Sequence, residues 1–86
     1  MSDKSGVVHV RLFAAAKAAA GIAEIDVAAG TIGSISRELI SQFSALASIL
    51  PSCSFLVDGA QPPQGGDLAS VGRGAVLDVL PPFAGG

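Results

Sequence analysis

One long stripe of apolar residues at helical spacing, Ile32, Ile35, Leu39, Ile40 and Phe43, occupies the middle of the chain. It runs for about three turns, with Arg37, Glu38, Ser41 and Gln42 on the opposite side. A single amphipathic helix cannot bury its own stripe, so a second layer is required. The flanking sequence supplies it, with two strand-like stretches before the helix and two after.

Val7 to Phe13 is rich in β-branched residues and reads as the first strand. Alternation sets Val8, Val10 and Leu12 on one side and His9, Arg11 and Phe13 on the other; the first set is the better core face. Ala14 to Ala20 is a short alanine-rich helix with Gly21 as its stop. Ile22 to Ala28 is the second strand, with Glu24 and Asp26 on a polar outer side. The link between these strands is too short for a parallel crossover, which predicts an antiparallel hairpin with a helical turn at its tip. Thr31 is a reasonable N-cap for a main helix over 32–43, and Gly33 softens its first turn. Ala45 to Leu50 reads as a short helical or irregular piece stopped by Pro51.

Ser54 to Asp58 is the third strand, closed by an Asp58-Gly59 turn. Gln61 to Gly66 is a loop, Asp67-Leu68-Ala69 a single helical turn, and Ala75 to Leu80 the last strand, with Val76, Asp78 and Leu80 on its outer side. The hairpin–helix–hairpin order puts the first and last strands side by side and parallel at the centre. The expected architecture is α+β: a β-grasp roll, with a mixed sheet and one main helix packed on one face. Residues 1–6 are expected to be a flexible terminus, 7–80 the domain, and 81–86 an extended tail.

At 86 residues, half of them hydrophobic, only one core fits and intrinsic disorder is excluded. The charged share of 14%, against about 25% ordinarily, suggests more apolar surface than a solitary monomer would keep. Five cationic and seven acidic residues leave a formal charge of −2, with no basic run. Nucleic acid is therefore not an expected partner. One cysteine, Cys53, cannot form an internal disulfide. No stretch is long and apolar enough for a membrane span, and the amino end is unlike a signal peptide. A cytoplasmic location is expected.

The catalytic inventory is sparse. His9 is the only histidine, and a lone histidine on a strand points to a structural or surface role. Cys53 reads as a small buried hydrophobe and Asp58 as a turn former. Gly72-Arg73-Gly74 lacks the strand-to-helix context of a phosphate loop. No cluster of metal-ligand residues is present, so no metal is expected. The chain is not expected to be an enzyme on its own. The informative segment is Leu80-Pro81-Pro82-Phe83-Ala84-Gly85-Gly86. Two prolines stiffen the exit from the sheet, and the last two residues carry no Cβ. Such a tail can thread a narrow channel and present an ionised carboxylate to an activated phosphate.

Val10-Arg11-Leu12-Phe13-Ala14-Ala15-Ala16-Lys17-Ala18-Ala19-Ala20-Gly21, Leu56-Val57-Asp58-Gly59 and Val79 to Gly86 occur in that order. Together they resemble the small, sulfur-carrying subunit of molybdopterin synthase, a ubiquitin-like family, over Val7 to Gly86. Lys17 stands where that family often carries Arg, and Asp58 where it often carries Asn. The resemblance implies that Gly86 is adenylated by an E1-like adenylyltransferase using ATP and then converted to a thiocarboxylate. The tail, Phe83, Ala84 and Gly85, would then deliver the sulfur of Gly86 to a cyclic pyranopterin precursor in the large synthase subunit, within a heterotetramer. No permanently bound cofactor is implied. Lys17, Phe13, Leu80 and Phe83 would contact partners, the last three as an apolar patch at the root of the tail. A carrier for thiamine or cysteine biosynthesis, or a plain β-grasp interaction module, are the alternatives.

Overall fold

The structure is a computed structural model and describes residues 6–62, 66 and 68–82. The termini 1–5 and 83–86 therefore lie outside it, as do Pro63, Gln64, Gly65 and Asp67. Strand β1 (Val7–Leu12) leads into helix α1 (Ala14–Ala20), and β2 (Glu24–Ala28) returns beside β1. A two-residue strand β3 (Gly30–Thr31) precedes the main helix α2 (Ile32–Gln42). After two 3-10 turns come β4 (Ser54–Val57), β5 (Ser70–Val71) and β6 (Val76–Leu80).

The main sheet has the order β2-β1-β6-β4. β1 and β2 are antiparallel, as are β4 and β6, while β1 and β6 run parallel at the centre. The expected β-grasp roll is therefore present. Val8, Val10 and Leu12 of β1 and Leu77 and Val79 of β6 are all buried against Ile32, Ile35 and Leu39 of α2. α1 adds Ala16 to this core, and the 3-10 turns add Leu46 and Leu50. Among the described residues, no helix is long and apolar enough to cross a membrane.

Several boundaries differ from the sequence reading. β2 begins at Glu24 rather than Ile22, which is exposed. α2 ends at Gln42, because Phe43 leaves helical geometry and becomes its C-cap. Pro51 does not stop the segment before it; it sits near the start of the second 3-10 turn (Leu50–Ser52), where its missing N–H costs nothing. The antiparallel β3–β5 ribbon was not expected. Of the turn assigned to Asp67-Leu68-Ala69, Asp67 is outside the described residues and Leu68 is exposed in a turn.

Two local devices fix the connections. Thr31 Oγ1 accepts from the Ser34 amide at 3.1 Å, and Ser34 Oγ accepts from the Thr31 amide at 3.0 Å. This reciprocal capping box offsets the soft start that Gly33 introduces. Asp58 and Gly59 both have positive φ, 51° and 84°, the backbone of a tight type I′ turn. Asp58 Oδ1 also accepts from the Val76 amide at 2.9 Å, tying the turn to the start of β6.

Candidate functional site

Strand parity divides the sheet into a helix face and an open face. On the open face, one transverse row reads Glu24, Arg11, Asp78, Leu56 across β2, β1, β6 and β4. The neighbouring row toward the start of β1 carries Asp26, His9 and Val76. At the opposite end, β1 passes Phe13 and β6 ends at Leu80, which lies opposite Ser54 of β4. The Phe13 amide donates to the Val79 carbonyl at 3.3 Å, so Phe13 stays in register with β6 and next to Leu80 along the sheet. Phe13 is 38% exposed, and Leu80 and Leu56 are half-buried.

The exposure of Phe13 has a backbone cause. Ala14 adopts φ 52°, in the left-handed region, and turns the chain abruptly from β1 into α1. The Phe13 carbonyl then accepts from the Ala16 and Lys17 amides, so Phe13 caps α1 through its backbone alone. Its ring is left on the open face. Lys17 is exposed on α1 and forms no ion pair with another described residue. Leu80 continues into Pro81, half-buried, and Pro82, exposed. Phe83, Ala84, Gly85 and Gly86, the residues on which the tail reading depends, lie outside the described residues.

The polar part of this face is tightly paired. Arg11 makes a forked contact with Asp78, Nε to Oδ1 at 2.6 Å and Nη2 to Oδ2 at 2.9 Å. Its guanidinium carbon lies 5.8 Å from the centre of the Phe13 ring. Asp78 is only 6% exposed, although alternation assigns it to the outer side of β6. The alternation holds, but Arg11 covers the carboxylate. The hydrogen bonds that Arg11 donates to Asp78, with the carboxylate's charge, hold the guanidinium more firmly protonated than usual.

His9 is a surface residue, as its isolation in the sequence suggests. Its Nδ1 lies 2.7 Å from Asp26 Oδ1 and its Nε2 lies 2.6 Å from Glu24 Oε1. A neutral imidazole carries one N–H, so satisfying both contacts calls for the imidazolium. Hydrogen bonds to Asp26 first, then Glu24, push its pKa above 6.5. Among the described residues, no group of three His, Cys, Asp or Glu side chains is arranged to hold a metal ion.

Cys53 is half-buried and packs against the core; its thiol donates to the Ile49 carbonyl at 3.3 Å. Burial pushes its pKa up, which leaves less thiolate for chemistry. It lines a groove of about 700 Å³ between α2 and the β4 edge, with Ile32, Arg37, Ile40, Leu50 and Phe55. This groove brings together none of the residues expected to act. The structure thus brings Phe13 and Leu80 to one corner. It also adds three residues the sequence reading did not assign to the site: Arg11, Asp78 and Leu56. Leu56 was accessible by parity, since Phe55 and Val57 are its core-facing neighbours. The Arg11–Asp78 pairing depends on the parallel register of two strands distant in sequence.

Comparison with solved structures gives the same fold. Small archaeal modifier protein 1 from Methanosarcina acetivorans aligns over 94% of this chain and 97% of its own, with a TM-score of 0.79 and 22% identity. The HVO 2177 protein of Haloferax volcanii aligns over all of this chain and 93% of its own, at 0.75 and 26%. Subunit 1 or 2 in the complex of the molybdopterin-converting factor from Helicobacter pylori supplies a chain matched at 0.66 and 20% identity, over 93% of this chain and 99% of that one. No protein-family model and no curated protein matches the sequence. The chain has the fold of the ubiquitin-like β-grasp proteins.

Proposed function

We propose that this chain is a ubiquitin-like sulfur carrier, the sulfur-donating subunit of a molybdopterin synthase, with Gly86 as its reactive carboxyl terminus. The observation that carries the reading is the corner formed by the parallel β1–β6 pair. There the half-exposed Phe13 stands beside Leu80, one residue before the chain enters Pro81-Pro82. An apolar docking surface at the root of a tail whose last two residues are glycine suits a carrier that must visit more than one partner. The similarity to a chain from the two-subunit molybdopterin-converting factor supports a large-subunit partner.

In this reading the Gly86 carboxylate attacks the α-phosphate of ATP within an E1-like enzyme, releasing pyrophosphate and leaving an acyl-adenylate. A sulfur nucleophile displaces AMP and leaves a thiocarboxylate. The large subunit then receives the tail and supplies the side chains for transfer to the pterin precursor. The carrier itself contributes tethered sulfur and a docking face. Lys17, exposed on α1 close in sequence to Phe13, belongs to the proposed contact surface.

The test is the intact mass of the chain purified from its native cells. A mass gain equal to replacement of one oxygen by sulfur, localised to Gly86, is the expected result. A chain recovered only as the plain carboxylate, with no gain after incubation with ATP, a sulfur donor and the activating enzyme, overturns the reading. Thiocarboxylate that is consumed by an enzyme of thiamine or cysteine synthesis, but not by the large synthase subunit, would move the carrier to one of those pathways.

A further inference from the structure

We propose that Arg11, oriented by Asp78, is the polar anchor of the docking face and receives a neutral acceptor, a main-chain carbonyl, from the protein that covers Phe13 and Leu80. This deepens the carrier reading and rests on it. The open face has no covering layer among the described elements, yet it holds a carboxylate only 6% exposed at the centre of the sheet. Asp78 uses the Nε and Nη2 edge of Arg11, fixing the plane of the guanidinium. The Arg11 side chain remains 46% exposed, and no described residue takes a hydrogen bond from Nη1. Donors held in a fixed plane lose little freedom when they meet a partner, and arginine is enriched among interface anchors for this reason.

Charge narrows the partner group. Arg11 compensates Asp78 and the His9 imidazolium is shared by Glu24 and Asp26, so these neighbours keep one negative charge in excess and a carboxylate arriving at Nη1 would be opposed by it. A cation would meet the guanidinium itself. A carbonyl meets neither penalty. Phe13 beneath the guanidinium, with Leu80 and Leu56 nearby on the same face, fits apolar side chains around that carbonyl. The partner surface is therefore an apolar socket with an exposed main-chain acceptor, not an acidic or basic patch.

The experiment measures affinity of the full-length chain for the purified large synthase subunit, alongside thermal unfolding of each variant. Arg11→Lys keeps the positive charge over Asp78 but loses the planar fork, so folding should persist while affinity falls roughly tenfold or more. Arg11→Met should lose as much. The loss from Arg11→Lys should shrink in a Phe13→Ala background, because the two groups form one contact. The affinity lost in Arg11→Lys should change little with added salt, as a neutral acceptor requires, whatever Lys17 adds to the salt dependence of the whole interface. Wild-type affinity in Arg11→Lys, losses that only track the unfolded fraction, or an Arg11→Lys loss that vanishes as salt is added would each overturn the inference alone. Failure of the wild-type chain to bind the large subunit at all would overturn the molybdopterin synthase assignment together with this inference, whereas the mass of Gly86 tests the carrier reading separately.

Discussion

Ala14 and Gly59 share a left-handed backbone, yet only one of them is glycine. A side chain in that region costs roughly 1–2 kcal/mol, and Ala14 bears this at the junction that leaves Phe13 on the open face. Ala14→Gly should therefore raise stability, by up to about 1 kcal/mol, as read from the urea midpoint. Gly59→Ala meets no atom within 4 Å, so its cost is backbone alone, about 1 kcal/mol in the opposite direction. An unchanged midpoint in both variants would show that neither turn is held in the left-handed region. His9 gives a residue-scale pH dependence. The folded state binds its proton more tightly than an unfolded chain titrating near 6.5. The clasp on Asp26 and Glu24 therefore stabilises fully below that pH and is lost as pH rises through the higher folded value. With His9 39% exposed, the effect should stay below about 1 kcal/mol. Urea midpoints should fall across that window in the wild type, and His9→Gln should flatten this part of the profile.

At the level of elements, α2 depends on how it starts. Thr31→Ala removes the acceptor for the Ser34 amide and should cost about 0.5–2 kcal/mol in chemical denaturation. Gly30→Ala should act through the same box, because a Cβ there would run into Ser34 Oγ. Equal stability of both variants with the wild type would mean that tertiary packing alone sets the start of the helix. The long elements were legible in the sequence because each has a period: alternation in β1 and β6, and the stripe of α2. The β3–β5 ribbon was not, since two-residue strands have no period and Gly30-Thr31 reads equally well as a turn. Asp78 shows a different limit. Alternation located its side of the strand but could not reveal that Arg11 would cover it, which requires the register between β1 and β6. Phe13 and Leu80 were legible as neighbours because the same parity argument applies at both strand ends.

At the scale of the whole molecule, the two faces of the sheet differ in burial. The helix face carries the stability: Val8, Val10, Leu77 and Val79 are fully enclosed by α2 and its neighbours. The open face contributes little burial at the Phe13 corner, so a charge placed there should be tolerated by the folded monomer. Phe13→Asp should leave the melting temperature close to that of the wild type and, under the proposed function, weaken binding to the large synthase subunit by several kcal/mol, as loss of an interface anchor can. Leu80→Asp should do the same to binding, with some loss of stability because Leu80 is half-buried. Calorimetry on the folded variants separates the contributions. If Phe13→Asp unfolds the monomer while binding per folded molecule stays normal, the ring belongs to the core and the docking corner lies elsewhere. If both variants stay folded and fail to bind, the β1–β6 corner is what couples the sheet to the partner. The position of the tail relative to the large subunit would then be set by the same two strands that close the core.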